Sequence, residues 1–255
     1  MDARRGLFAD FSLATAVLTR IPIGFPERLL PLPEGAVAAS SWAFPLVGAG
    51  VGAIAAMAFF AAQLLGLRDT PAALLAVLAG IIVTGGLHED GIADTADGFG
   101  GGSDRAAKLA IMRDSRQGSY GILALLFSIG LRTTALATIG DPLLAGLALL
   151  ASHTASRGVL PATMRFLPSA RPDGLGASAG KPSIPVTVAA AVIGIGFALA
   201  TLGPVRGGVA CAIAALAVAA TAMLAHRQIG GYTGDVLGAF QQIGEIVMLL
   251  AAAAK

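Results

Sequence analysis

Carboxylates are dense between residues 88 and 97, where the sequence reads His-Glu-Asp-Gly-Ile-Ala-Asp-Thr-Ala-Asp. Asp90, Asp94 and Asp97 are spaced i, i+4 and i+7, so they share one face if the helix that begins at Pro71 continues through them. Like charges on one face repel, and a divalent cation between them removes that cost. Oxygen ligands without a nearby thiolate favour Mg²⁺, or Mn²⁺, over zinc. We therefore predict a metal site here, the alternative being a solvated acidic helix end.

The composition places this segment in a membrane protein. Of the 255 residues, 56% are hydrophobic and 13% are charged, and the mean hydropathy is +0.80, so the natural solvent of the chain is lipid. The sequence contains no linker composition, low-complexity tail or short-period repeat, which predicts one integral membrane domain over residues 1–255. Cys211 is the only cysteine, which excludes an intramolecular disulfide.

Seven apolar runs are long enough, or nearly so, to cross a hydrocarbon core of about 30 Å. They cover residues 44–67, 71–87, 121–139, 142–160, 185–202, 208–225 and 236–254. The expected fold is therefore an all-α, polytopic transmembrane helical bundle of about seven spans, within a range of six to eight. Residues 7–18 are apolar but short, and Asp10 interrupts them, so we expect an amphipathic or re-entrant segment at the interface.

The loops between these runs alternate in length and charge. Those at residues 68–70, 140–141 and 203–207 are very short, and most basic residues lie in the longer loops between them. By the positive-inside rule, the long loops and the acidic segment face the cytoplasm. The net charge of +2 follows from this asymmetry. We therefore expect no nucleic-acid partner, while the basic loops remain able to bind substrate phosphates.

Arginines follow the acidic segment, since Arg113 and Arg116 flank Asp114. Carboxylates beside arginines at a membrane surface suit phosphoryl or phosphonucleotidyl transfer, because metal ions neutralise a diphosphate while guanidinium groups bind its outer oxygens. We expect Arg113 and Arg116 to bind substrate phosphate and Asp114 to add a metal ligand from the next helix. The alternatives are a local salt bridge for Asp114 and a purely topological role for the arginines.

Two neighbours of the aspartates are further candidates. His88 is a candidate general base, because imidazole titrates near neutral pH, and the alternative is an interfacial histidine bonded to backbone. Glu89 is rotated by about 100° from the aspartate face and is either an additional metal ligand or a solvated side chain.

The last apolar run carries a polar stripe. Asp235 lies near its start and is expected to contact the nucleotide or the metal. Glu245 lies deeper and is expected to pair with Arg132, since ionisable groups inside a membrane need a partner. Tyr232, in a glycine-rich loop, is a candidate substrate-binding residue that stacks on a base, the alternative being an interfacial anchor.

Two alternative functions remain open at this stage. Asp94-x-x-Asp97-Gly98, followed by Asp114, resembles the first part of the Asp-x-x-Asp-Gly signature of CDP-alcohol phosphotransferases, which act on lipid headgroups. Gly101-Gly102 stands where that signature has Ala-Arg. A secondary transporter would also use broken helices and buried carboxylates, but it would place them near mid-membrane and show paired repeats.

A wider resemblance covers nearly the whole chain. Separated blocks at residues 18–22, 44–48, 85–98, 111–121, 229–238 and 241–245 resemble, in order, the adenosylcobinamide-GDP ribazoletransferase (cobalamin synthase) family. The strongest blocks are Gly-Gly-Leu-His-Glu-Asp-Gly-Ile-Ala-Asp-Thr-Ala-Asp-Gly and Ile-Met-Arg-Asp-Ser-Arg-Gln-Gly-Ser-Tyr-Gly. The departures are small, with Arg113 where the family often has Lys and Ile92 where Leu is usual.

The resemblance implies a reaction and its setting. The 3′-hydroxyl of α-ribazole, or of its 5′-phosphate, attacks the phosphorus bonded to adenosylcobinamide in adenosylcobinamide-GDP, and GMP leaves. No protein nucleophile is needed, and Tyr232 gains the corrin ring as a stacking partner. The expected location is a bacterial inner membrane, with the active site facing the cytoplasm. Besides the lipid bilayer, other cobalamin-assembly enzymes and further copies of the chain are candidate partners.

Overall fold

The computed structural model describes residues 6–23 and 33–254, which contain thirteen α-helices and no strand beyond one isolated bridge. The helices are α1 (Leu7–Leu18), α2 (Ala36–Ser40), α3 (Phe44–Leu64), α4 (Asp69–Thr84), α5 (Leu87–Gly101), α6 (Arg105–Ile111), α7 (Ser119–Ile139), α8 (Pro142–Gly158), α9 (Leu160–Phe166), α10 (Leu175–Ser178), α11 (Ile184–Leu202), α12 (Pro204–Ile229) and α13 (Gly234–Ala253).

Six stretches of the described chain are long and apolar enough to cross a membrane. They are Ala36–Leu64, Ser119–Ile139, Pro142–Phe166, Ile184–Leu202, Pro204–Ile229 and Gly234–Ala253. The pair α4 and α5 meets the same criteria when taken together, which gives up to seven spans. The predicted all-α polytopic bundle is therefore confirmed.

The starts of several spans follow from capping residues. Asp141, Ser183 and Thr233 precede α8, α11 and α13, and each side chain accepts a hydrogen bond from a backbone N–H in the first turn. Proline follows the cap in the first turn of α8 and α11. Proline has no N–H, but N–H groups in the first turn have no partner within the helix, so no helical hydrogen bond is lost. These polar caps explain why α11 and α13 begin one or two residues before the apolar runs, while α8 begins with its run.

The short N-terminal segment is helical, and most of its second half is buried. Leu13, Ala14 and Leu18 of α1 pack against α2 and α3. Asp10, which interrupts the apolar run, accepts a hydrogen bond from the Trp42 indole at 3.1 Å. The predicted location of α1 at the membrane interface stays a prediction.

The helix that begins near residue 71 does not continue through the aspartates, which corrects the expectation of one continuous helix. It ends at Thr84, and α5 starts at Leu87 after a bend of 91°. Gly85 and Gly86 have φ angles of 66° and 71°, a left-handed conformation that side chains disfavour. Asp90, Asp94 and Asp97 nonetheless share one helix, because all three follow the break.

The bend directs α5 between α7 and α13. Gly91 of α5 and Gly238 of α13 cross so closely that a Cβ at Gly91 would collide with the backbone of α13. Along the crossing, residue 88 lies near residue 238 and residue 91 near residue 235, so α5 and α13 run antiparallel. Asp97, near the carboxyl end of α5, reaches the amino end of α7, where it contacts Gly118 and Gly121.

Candidate active site

The aspartate face of α5 is graded in exposure. Asp90 is exposed, Asp94 is half-buried and Asp97 is only 6% exposed. Asp235, in the first turn of α13, joins them because Gly91 lets the two helices approach. The carboxylates of Asp90, Asp97 and Asp235 lie close enough to Asp94 to repel it. Two helices thus bring four acidic side chains together.

Asp97 attaches α5 to α7. One of its carboxylate oxygens accepts a hydrogen bond from the Gly118 backbone N–H at 2.7 Å, and the other accepts from the Gly121 N–H at 2.8 Å. A Cβ on either glycine would collide with this carboxylate. A negative charge at the amino end of a helix is favourable. Two of the roughly four acceptor positions on the carboxylate remain available for another ligand.

The four carboxylates have only neutral partners within the described residues. Gln117 donates to Asp94 at 3.3 Å, and the Thr233 hydroxyl donates to Asp235 at 3.1 Å. Every ion pair in residues 6–23 and 33–254 involves other acidic groups. The face therefore carries negative charge that no direct cationic contact neutralises.

This donor set suits a hard cation chemically, since it offers carboxylate oxygens and no thiolate. In their present positions, however, no three His, Cys, Asp or Glu side chains of the described chain are placed to hold one metal ion between them. The predicted metal site therefore stays a prediction, and its two helices would have to close around the ion.

The flanking arginines form exposed salt bridges. Arg113 donates to both carboxylate oxygens of Asp173 at 2.7 Å, and Arg116 pairs with Asp114 at 2.6 Å. The hydrogen bonds from Arg116 lower the pKa of Asp114 to about 2. Asp114 thus adopts the alternative considered from the sequence, a local salt bridge. Exposed pairs of this kind are weak, so a substrate phosphate can replace the carboxylate as the partner of either arginine.

Glu89 lies away from the aspartates, in a buried cluster that joins four helices. It pairs with Arg132 of α7 at 3.0 Å, and Arg132 also pairs with Glu245 of α13 at 3.1 Å. His153 Nδ1 lies 3.1 Å from the other Glu245 oxygen, and Arg157 lies 4.0 Å from it. The prediction that Glu245 pairs with Arg132 is confirmed.

Amides complete this cluster. Gln242 donates to Glu89 at 3.1 Å and accepts a hydrogen bond from Ser128 at 2.6 Å, while Gln241 donates to Glu245 at 2.6 Å. Charges inside a bundle require such partners, because the low dielectric makes an isolated ion costly. The cluster therefore ties the first turn of α5 to α7, α8 and α13.

His88 and Tyr232, two sequence-predicted site residues, are both 3% exposed. His88 Nε2 has no hydrogen-bond partner among the described residues. The Tyr232 hydroxyl donates to the Gly176 carbonyl at 3.2 Å, and its backbone forms the isolated bridge with Ser169. Tyr232 therefore joins two loops, and it also lines a cavity of about 430 Å³ together with Arg165 and Lys181. Substrate binding by Tyr232 and the role of His88 as a base stay predictions.

Two basic residues near the site were not singled out from the sequence. Lys108 is buried and donates to the Gly102 carbonyl at 2.6 Å, which caps the carboxyl end of α5. Arg171 is close enough to Asp235 and Asp94 to attract both, and burial lowers its pKa. A lysine shortly after a glycine-rich helix end is a usable capping signal, whereas nothing local identifies Arg171.

Comparison with known proteins gives full-length matches. The cobalamin-5-phosphate synthase family model matches residues 10–253. Proteins named adenosylcobinamide-GDP ribazoletransferase match from Bradyrhizobium diazoefficiens (48% identical, 98% of this chain and 95% of the relative), Mesorhizobium japonicum (46%, 97% and 94%) and Azorhizobium caulinodans (42%, 96% and 95%). No solved structure matches significantly.

Proposed function

The chain belongs to the cobalamin-5-phosphate synthase family, and we propose that it joins α-ribazole, or its 5′-phosphate, to adenosylcobinamide-GDP with release of GMP. The product is adenosylcobalamin or its 5′-phosphate. The observation that carries this proposal is the uncompensated face of Asp90, Asp94, Asp97 and Asp235 beside basic loops. Membership of this family favours this reaction over the two alternatives that the sequence left open, a lipid-headgroup phosphotransferase and a secondary transporter.

Within this proposal, Asp90, Asp94 and Asp235 would hold a divalent cation, Mg²⁺ or Mn²⁺, and Asp97 could contribute a free acceptor position. Such an ion would neutralise diphosphate oxygens and stabilise the departing GMP. Glu89 and Asp114 are less suited than the sequence suggested, because each already has an arginine partner.

The remaining chemistry is positioning. The phosphate of the substrate approaches a negative face, so cationic side chains must lie around it. Arg113 and Arg116 are exposed and held only by weak surface pairs, and Arg171 lies within electrostatic reach of the aspartates. We assign these three arginines to the diphosphate oxygens.

His88 does not contact the substrate in this proposal. A general base must come within hydrogen-bond distance of the proton it accepts, and His88 is buried in the bundle. The face that a substrate can reach is formed by Asp90 and Asp94.

We also propose that the protein lies in the bacterial inner membrane with this face toward the cytoplasm. Close contacts of Gly48 and Gly52 with α8, and of Gly194 with Ala155 and Gly158, make α8 antiparallel to α3 and α11. This puts the short connections at one end of the bundle and the long basic loops at the other. Positive charge concentrates on the cytoplasmic side of membrane proteins.

The test is GMP release by the purified protein in nanodiscs, from adenosylcobinamide-GDP and α-ribazole, with Mg²⁺ and with EDTA. Asp94→Asn should abolish turnover while the protein keeps its helical circular dichroism. Asp141→Asn is the matched control, since Asp141 caps α8 at the other end of the bundle and Asn also caps helices. Full turnover by Asp94→Asn, or turnover unaffected by EDTA, would remove the metal assignment. No GMP from folded wild-type protein would remove the proposed reaction.

A further inference from the structure

A groove runs between α11 and α12 on a part of the bundle that the reaction does not use. Gly203 alone connects the two helices, and they touch near it, where Gly207 packs against Ala198. Beyond that contact they leave a cavity of about 430 Å³ between α8, α11, α12 and α13. Its walls are apolar, and many of its lining residues are Gly or Ala. The absence of larger side chains therefore keeps the groove open.

The groove continues toward the loop between α12 and α13. A second cavity, of about 470 Å³, shares four lining residues with the first, namely Val159, Ala162, Ala215 and Val218. Its far end is formed by Leu167, Pro168, His226 and Arg227. The two cavities form one continuous groove, which is apolar along the spanning helices and basic at the end of α12.

The basic end has no internal partner. His226 and Arg227 are exposed, and neither makes a hydrogen bond or ion pair within the described part of the chain. No acidic residue of the described chain lines either cavity. This basic end of the apolar groove complements an anionic lipid headgroup, and the apolar walls complement the acyl chain attached to it.

We propose that this groove is a binding site for one anionic phospholipid. One of its acyl chains lies between α11 and α12, and its phosphate lies beside His226 and Arg227. An acyl chain gains no hydrophobic free energy by moving from the bilayer onto a spanning helix. It gains van der Waals contacts if it fills a groove that would otherwise be empty. Basic pockets between transmembrane helices at the cytoplasmic surface are known to bind anionic headgroups.

The test uses native mass spectrometry of the full chain from nanodiscs containing equal amounts of phosphatidylglycerol and phosphatidylcholine with identical acyl chains. Wild-type protein should retain one lipid, predominantly phosphatidylglycerol. Ala215→Phe fills the groove at a residue that lines both cavities and should lose the lipid. Ala220→Phe is the matched control, an exposed position on the same helix outside both cavities, and should retain it.

The headgroup contact is tested separately. Arg227→Gln should reduce the preference for phosphatidylglycerol about fivefold, as expected for one basic side chain at an anionic surface. Arg206→Gln, at the other end of α12, should leave the preference unchanged. Equal lipid retention by Ala215→Phe and Ala220→Phe, or equal preference in both arginine variants, would overturn the proposal. So would a dimer that Ala215→Phe dissociates, because the groove would then belong to a second copy.

Discussion

The buried ion cluster provides the most quantitative test of how α5 is positioned. Arg132 is 2% exposed and pairs with two carboxylates, Glu89 at 3.0 Å and Glu245 at 3.1 Å. In Arg132→Met, Glu245 would keep His153 and Arg157, whereas Glu89 would keep only the Gln242 amide. The variant therefore leaves one carboxylate buried without a cation.

The magnitude follows from that arrangement. Breaking a buried ion pair by removing one partner typically costs about 3 to 5 kcal/mol, because the remaining charge is uncompensated. Arg132→Met should lose about this much free energy of unfolding. Adding Glu89→Gln removes the uncompensated charge and should recover part of the loss, so the two substitutions should be strongly non-additive.

The assay is unfolding in mixed micelles of increasing SDS content, followed by far-UV circular dichroism. Arg68→Met is the matched control, because Arg68 is exposed and has no ion-pair partner in the described residues. Its stability should be within about 0.5 kcal/mol of wild type. A loss in Arg132→Met no greater than in Arg68→Met, or no recovery in the double variant, would refute the assigned role of the cluster.

Three further outcomes are expected. Gly121→Ala should lower the metal-dependent kcat and the thermal stability together, because its Cβ collides with the Asp97 carboxylate, and normal values would contradict the Asp97 contact. Because Arg116 holds the pKa of Asp114 at about 2, the ionised carboxylate stabilises the fold above its usual pKa near 4 and loses that effect only as pH falls through about 2. The free energy of unfolding of Asp114→Asn and of wild type should therefore depend on pH in the same way near neutral pH. A different pH dependence of stability in that range would contradict this. His88→Gln should keep kcat within about tenfold of wild type, because the buried His88 does not contact the substrate in the proposed reaction. Loss of a general base typically lowers the rate about 10²- to 10⁴-fold, so a decrease of that size would support His88 as the base.

The spans and the identity of the acidic segment were readable from local sequence. Hydrophobic length located the membrane helices to within a few residues, because a bilayer demands a long apolar run whatever the packing. The Asp90, Asp94 and Asp97 spacing predicted a shared helical face. The pairing of Arg132 with Glu245 was also predictable, since an ionisable group in a membrane requires a partner.

Other parts of the site were not readable from local sequence. The Gly85-Gly86 pair marks a flexible position, but its φ angles and the 91° bend depend on the packing of α5 against α7 and α13. The rotation of Glu89 away from the aspartate face follows from helical geometry, but its burial beside Arg132 depends on the packing of α5 against α7 and α13.

The sequence by itself determined that the chain is a polytopic helical membrane protein, which charges lie at the ends of its spans, and which family it resembles. These properties depend on composition, period and motif, all of which are local along the chain. Only the tertiary structure decided that Asp235 joins the aspartate face and that Tyr232 is buried. It also decided that an apolar groove opens between α11 and α12. Those outcomes depend on which helices touch. Most contacts between residues far apart in sequence leave no local pattern, and the buried ion pair of Arg132 and Glu245 is an exception.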